Sequence, residues 1–153
     1  MDNIKQFTHI DDTGKIRMVD VSSKPVSLRV AEAEGYIIFS EDTADKIKEM
    51  SIPKGNVLSC ALTAGVMAAK NTAFVIPLCH QIALTDIDIN YEISVDRIRS
   101  VCTVKSTDKT GCEMEALHGV TVSLLTIYDM CKGYDKKMII EGVRLCRKSK
   151  VSQ

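Results

Sequence analysis

The sequence predicts an α+β domain in which an antiparallel sheet carries two long helices on one face, plus a short extra helix. Three observations predict it. Residues 86–93 alternate between apolar and polar, and a second alternating run at 97–105 follows after three residues, a hairpin spacing. Two longer stretches, 56–74 and 114–132, carry apolar residues at a helical period. The length of 153 residues suits one domain with a core of its own and is too short for two ordinary enzyme domains.

Taken in order, residues 1–16 read as a flexible N-terminal segment with turn residues at Asp11, Asp12 and Gly14, and 17–153 as a single domain. Residues 17–26 give a short extended piece and a Ser/Pro loop. Within 27–40 the β-prone run 36–39 predicts the first strand, and 41–50 a short amphipathic helix with acids in its first turn. Pro53 and Gly55 mark a loop. Val57, Ala61, Ala64 and Ala68 then form one helical stripe, small enough for another element to approach closely, until Pro77 stops the segment. In the next strand Ile87, Ile89, Tyr91 and Ile93 take one face, while Asp86, Asp88, Asn90 and Glu92 take the other. Its hairpin partner sets Ile98, Cys102 and Val104 against Arg97, Arg99 and Lys105. Leu117, Val120, Leu124 and Tyr128 stripe the second long helix, with Gly133 as terminator, and 138–148 supplies a last strand. From residue 27 the order is strand, helix, strand, strand, helix, strand, which is the split βαβ, or ferredoxin-like, arrangement. That fold hosts many functions and fixes none.

Composition narrows the function. Twenty basic and twenty acidic residues balance to zero, which argues against a general nucleic-acid binder. With three Phe, four Tyr and no Trp, the chain is poor in side chains that stack on bases. Six cysteines without a CxxC pair argue against a zinc ribbon and read as reduced thiols of a cytoplasmic protein. The N-terminus is polar and acidic, unlike a signal peptide, and no apolar run reaches the ~18–20 residues of a membrane span.

Four local groups could carry chemistry. In PKGNV (53–57) Lys54 precedes a helix start, a place that suits a phosphate, although a solvated loop lysine is the simpler account and no Walker A pattern is present. In PLCHQ (77–81) His80 stands at a loop position, where a histidine can serve as acid, base or phosphate donor or simply be a hydrogen-bonded structural residue. Cys79 beside it argues weakly for a nucleophile pair, because neighbours on a strand point to opposite faces. In TGCEME (110–115) Glu113 and Glu115 share a face if extended and diverge by about 200° if helical. They could read an N–H edge of a base or share a proton, or they could simply decorate a helix N-terminus. In TIYDMCKG (126–133) Asp129 and Lys132 are three apart, with an acid at the unfavourable end of a helix. They form either an acid–base pair or a surface ion pair. Arg144 and Lys148, four apart on the last strand, share a face and could bind phosphate, as could Arg29 on the first. His9 has a weaker case, and His118 falls on an exposed helix face.

Taken together, the strings MVDVSSKP (18–25), PKGNVLSCALTAGVMAAKNT (53–72), IPLCHQIALT (76–85), DKTGCEMEAL (108–117), LTIYDMCK (125–132) and MIIEGVRL (138–145) resemble the molybdenum cofactor biosynthesis protein C family, the cyclic pyranopterin monophosphate synthases. The resemblance runs from about residue 8 to 148 and rests on the number, order and spacing of the strings. It implies a ferredoxin-like catalytic domain. It implies a lyase of the phosphorus–oxygen type that converts a GTP-derived 3',8-cyclo-dihydro-GTP intermediate into cyclic pyranopterin monophosphate and releases pyrophosphate. It further implies a site shared between the subunits of a dimer, a hexamer built as a trimer of dimers, and a functional link to the upstream radical enzyme, with no nucleic-acid or membrane partner.

Carried over motif by motif, the resemblance makes Asp129 and Lys132 the central acid–base pair. It places Lys54, Leu78, Cys79 and His80 in the substrate pocket, with Glu113, Met114 and Glu115 near the base and Arg29 and Lys148 on phosphates. All of these groups are expected in one pocket. No cofactor or protein-held metal is firmly implied; Mg2+ could accompany the triphosphate. Asn56 stands where the family usually has Asp, Gln81 where it has Pro, and Arg147 with the ending KSKVSQ replaces a Gly-rich tail, which bears on phosphate contacts more than on the chemistry.

Overall fold

A computed structural model describes residues 13–151. Residues 1–12, most of the segment expected to be flexible, and His9 lie outside the described residues. The elements follow the expected order: β1 (Ser27–Ile38), α1 (Glu41–Lys48), α2 (Val57–Lys70), α3 (Thr72–Val75), β2 (Leu84–Ile93), β3 (Arg97–Asp108), α4 (Glu113–Cys131) and β4 (Ile139–Val151). The strands form one sheet in the order β2-β3-β1-β4, and each neighbouring pair is antiparallel. This is the ferredoxin-like arrangement that the hydrophobic patterns predict.

The core lies between the sheet and the two long helices. Ile37 of β1, Ile98 and Val104 of β3 and Val120, Leu124 and Ile127 of α4 are fully buried, each contributing on the order of 1.5–3 kcal/mol. β2 turns Ile87, Ile89, Tyr91 and Ile93 inward and leaves Asp86, Asp88, Asn90 and Glu92 exposed, as its alternation requires. α2 and α4 approach through glycine. A Cβ at Gly65 would stand 2.9 Å from the Gly119 carbonyl oxygen.

The elements differ from expectation in three places. β1 begins at Ser27, nine residues before its β-prone run, because pairing with β3 on one side and β4 on the other holds less β-prone residues extended. The long helix expected over 56–74 breaks at Asn71, which leaves the helical region and accepts a new start at α3. Finally, Arg144 and Lys148 do not share a face. The β1–β4 register slips between Glu32 and Ala33, so β4 carries an extra residue at Cys146. Arg144 therefore meets Glu34 on the face without helices, while Lys148 turns toward α4 and reaches Glu113 at 3.2 Å.

The helix-free face is closed by ion pairs. Glu34, 3% exposed, takes both Arg99 and Arg144, and Arg99 also reaches Glu92 at 2.9 Å. The Arg99 hydrogen bond, then that of Arg144, holds the Glu34 carboxyl below the usual carboxylate range against its burial.

Candidate functional site

Two clusters form, one at each end of α4. At its C-terminal end Asp129 is held between two lysines. Lys132, the residue that ends the helix, places Nζ 2.6 Å from Asp129 Oδ1. Lys54 comes from the loop between α1 and α2 and donates to the Asp129 main-chain carbonyl at 2.8 Å and to Oδ2 at 3.1 Å. Gly55 follows at φ 97°, a left-handed conformation that glycine accepts without strain, and Asn56 then caps α2 by taking the Ser59 N–H at 2.9 Å. Asn56 thus performs as a cap what the family's Asp could perform. The hydrogen bond from Lys132, then that from Lys54, holds the Asp129 carboxyl below its ordinary range, and Asp129 raises Lys132 in return. All three side chains are about half exposed and open to a ligand.

At the N-terminal end of α4 lie two adjoining clefts. The larger, of about 360 Å³, is lined by Leu78, Cys79, His80, Glu113, Met114 and Glu115, together with Val19, Val21 and Lys24. A second, of about 240 Å³, is bounded by Arg29, Glu113, Lys148 and Lys150. The helix starts at Glu113, so the two glutamates diverge. Glu113 faces Lys148, whereas Glu115 is 4% exposed and its carboxyl is pushed up to about 7 by burial, then by the Glu113 charge. Arg29 is fixed by donating to the carbonyls of Asp108 at 3.1 Å and Lys109 at 2.9 Å. His80 Nε2 lies 2.7 Å from the Val19 carbonyl, which can only accept, so Nε2 carries the hydrogen and Nδ1 is left for a ligand.

Cys79 and His80 lie in an irregular segment, not a strand, and both line the larger cleft, contrary to the alternation expected of neighbours. Burial, then the Glu115 charge, pushes the Cys79 thiol up, which keeps it a thiol and not a nucleophile. His118 is half-buried and bonds through Nδ1 to Thr72 Oγ1 at 3.2 Å, where an exposed position was expected, because α3 folds back against that face. Lys24, Val19 and Val21 were not singled out by sequence reasoning; their signal was the string MVDVSSKP, which carries no chemistry-specific spacing.

Within one chain the residues expected in a pocket shared between subunits fall into two clusters, at the two ends of α4. Asp129 lies sixteen positions after Glu113 along α4, a separation of about 24 Å at 1.5 Å per residue. The two clusters cannot touch one small ligand from the same chain.

No helix among the described residues is long and apolar enough to cross a membrane. A model of the MoaC family matches residues 18–150. The chain is 46% identical over 145 residues to the cyclic pyranopterin monophosphate synthase of Clostridium acetobutylicum, covering 94% of this chain and 90% of that protein. It is 46% identical over 155 residues to a probable cyclic pyranopterin monophosphate synthase accessory protein of Methanothermobacter thermautotrophicus, covering 97% of each. It is 49% identical over 144 residues to the molybdenum cofactor biosynthesis bifunctional protein of Chlorobaculum tepidum, covering 94% of this chain but 46% of that protein, so it spans about half of that relative's length. With the family's strings in order on the ferredoxin-like frame and a family model covering nearly all of its length, the chain belongs to the MoaC family.

Proposed function

We propose that this chain is a cyclic pyranopterin monophosphate synthase of molybdenum cofactor biosynthesis, acting on a GTP-derived 3',8-cyclo-dihydro-GTP intermediate. The observation that carries the reading is Asp129 clamped between Lys54 and Lys132. A carboxylate with an ammonium on each oxygen can relay a proton to one side while receiving one from the other. Lys132 protonates the nitrogen that leaves as the purine-derived ring opens, and Asp129 orients it and takes protons in turn.

The second cluster suits a triphosphate. Arg29 and Lys148 offer donors around the two clefts, His80 Nδ1 adds an acceptor for a hydroxyl or N–H of the ligand, and Glu115 is the carboxyl assigned to the base. A hydroxyl of the sugar-derived portion attacks the α-phosphorus and gives up its proton. The bond between that phosphorus and the bridging oxygen breaks, and pyrophosphate leaves with the oxygen. The cations offset the charge that develops. Among the described residues no three His, Cys, Asp or Glu side chains group as a metal cage. The donor set fits a Mg2+ carried by the triphosphate's own oxygens with Glu113 beside it, and the ion would supply further neutralisation there.

Because ~24 Å separates the clusters along α4, the complete site joins the C-terminal cluster of one copy to the N-terminal cluster of another. We propose a homo-oligomer on this ground, a dimer at least, with the family's trimer of dimers as the expected assembly. The chain then acts in the cytoplasm on the product of a radical enzyme.

An RNA-reading module on the same fold is disfavoured, since the exposed residues of β2 are Asp86, Asp88, Asn90 and Glu92, which offer no aromatic platform and repel phosphate. The test supplies the cyclic GTP-derived intermediate and follows pyrophosphate and, after oxidation, pterin fluorescence. Binding without pyrophosphate release would leave a sensor, and turnover by Lys132→Ala at the wild-type rate would remove the acid–base assignment.

A further inference from the structure

Lys54 and Lys132 reach Asp129 from two segments that are far apart in sequence. Lys132 begins the turn that leaves α4, which is tightened by the N–H groups of Tyr134 and Asp135, both donating to the Cys131 carbonyl at 2.8 and 3.2 Å. Lys54 hangs from the loop that follows α1. Asp135 joins the two. It is 9% exposed, and its Oδ2 accepts the Ser40 N–H at 2.8 Å, with the Thr43 hydroxyl at 3.4 Å, at the N-terminal end of α1. Its Oδ1 accepts the Lys137 N–H at 2.8 Å, closing the turn on itself. A second link runs parallel: Lys46 of α1 lies 5.4 Å over the Tyr134 ring.

We infer that Asp135 is a positioning residue for the proposed reaction: by tying the turn after Lys132 to the start of α1, it sets the spacing at which Lys132 and Lys54 meet Asp129. The inference rests on the functional reading above. α1 transmits the tie because the loop that bears Lys54 is bonded to its last turn, the Met50 N–H to the Ile47 carbonyl at 3.2 Å and the Ser51 N–H to the Lys46 carbonyl at 3.0 Å. Both oxygens of Asp135 are needed as acceptors, since each faces a main-chain N–H. An asparagine would turn its NH2 toward one of those donors and lose that bond.

The effect should read as chemistry and not only as stability. When the turn loosens, Lys54 leaves Asp129, and the carboxylate keeps Lys132 alone. The charged groups that act on it are Lys132 at the end of α4 and Lys54 on the facing loop; Tyr128 acts in turn on Lys132, and Lys54 and Asp135 act on Cys131. With one ammonium fewer, Asp129 protonates at higher pH.

The test uses Asp135→Asn and, independently, Ser40→Pro. Ser40 sits at φ −75°, which proline accepts, so that change deletes the N–H while keeping Asp135. Each variant is checked for folding by thermal denaturation, then assayed for kcat, KM and the pH profile with the cyclic GTP-derived intermediate. In both folded variants kcat should fall at least tenfold, KM should stay within about threefold, and the acidic limb should move to higher pH. Folded variants with wild-type kcat and pH profile overturn the inference, as does a loss that tracks only the unfolded fraction. The two readings fail separately. Wild-type turnover by Lys132→Ala overturns the proposed function itself, whereas inactive Lys132→Ala beside wild-type Asp135→Asn and Ser40→Pro overturns Asp135 alone.

Discussion

Lys54 Nζ holds Asp129 at two points, the main-chain carbonyl at 2.8 Å and the carboxylate at 3.1 Å, although the two residues are 75 positions apart. One contact fixes the end of α4 and the other sets the charge on the carboxyl. Lys54→Ala should therefore do more than weaken substrate binding. Asp129 lies below its usual range through Lys132 first and Lys54 second, so removing Lys54 raises it toward an ordinary carboxylate. If the ionised form is the working one, the acidic limb of kcat/KM moves to higher pH and kcat falls by about 10²-fold or more. An unchanged acidic limb would sink the relay while leaving Lys54 as a binding residue.

How far this was legible follows from particular residues. The order of elements could be read because the β2 alternation and the α4 stripe are local patterns. The Asp129–Lys132 pair could be read because a helix brings positions three apart together. The Lys54 contact could not, since a lysine before a helix start looks the same whether it faces solvent, phosphate or a distant carboxylate. Nor could the fate of Lys148. A bulge at Cys146 reverses the faces of everything after it, and no local pattern marks it. The division of the site between the ends of α4 was implicit in the spacing from Glu113 to Asp129, which helix geometry converts to distance. The resemblance named the residues but not the single-chain distance between them.

If two copies complete each site, inactive variants should rescue one another. Lys132→Ala damages the C-terminal cluster and Arg29→Ala the N-terminal one. In a mixed dimer one site carries both lesions and the other carries neither. Random re-assembly of equal amounts should restore about a quarter of wild-type sites, measured as pyrophosphate release after mixing and refolding. Activity no greater than the sum of the two parents would place the whole reaction within one chain.

The α2–α4 crossing should be intolerant of a single methyl group. At Gly65 a Cβ would meet Ile89 Cδ1 at 2.6 Å and the Gly119 carbonyl oxygen at 2.9 Å, and a main-chain oxygen cannot swing aside. Gly65→Ala gains up to about 1 kcal/mol of helix propensity but should lose about 1–3 kcal/mol to overpacking. Urea denaturation should show a lower midpoint. Gly133→Ala is the control, since nothing lies within 4 Å of its Cβ, and it should leave the midpoint unchanged.

Glu115 should make stability fall with rising pH across a defined window. Its carboxyl titrates at about 7 in the folded chain against an ordinary value of 4.5, chiefly because of burial. Between those values the folded state keeps the proton and the unfolded state has released it, so stability declines as pH rises and levels off above 7. The cost of burying the charge is absent below the unfolded value and reaches about 3 kcal/mol above the folded one, at 1.36 kcal/mol per pKa unit. Glu115→Gln cannot ionise. Whatever its amide costs in that niche is the same at every pH, so the informative quantity is the change in its effect between two pH values. Denaturation at fixed protomer concentration should show the variant gaining on wild type by up to about 3 kcal/mol from pH 4.5 to pH 8. An effect identical at both would mean that Glu115 is already ionised or solvated in the folded state. It could not then donate a proton to the base near neutral pH.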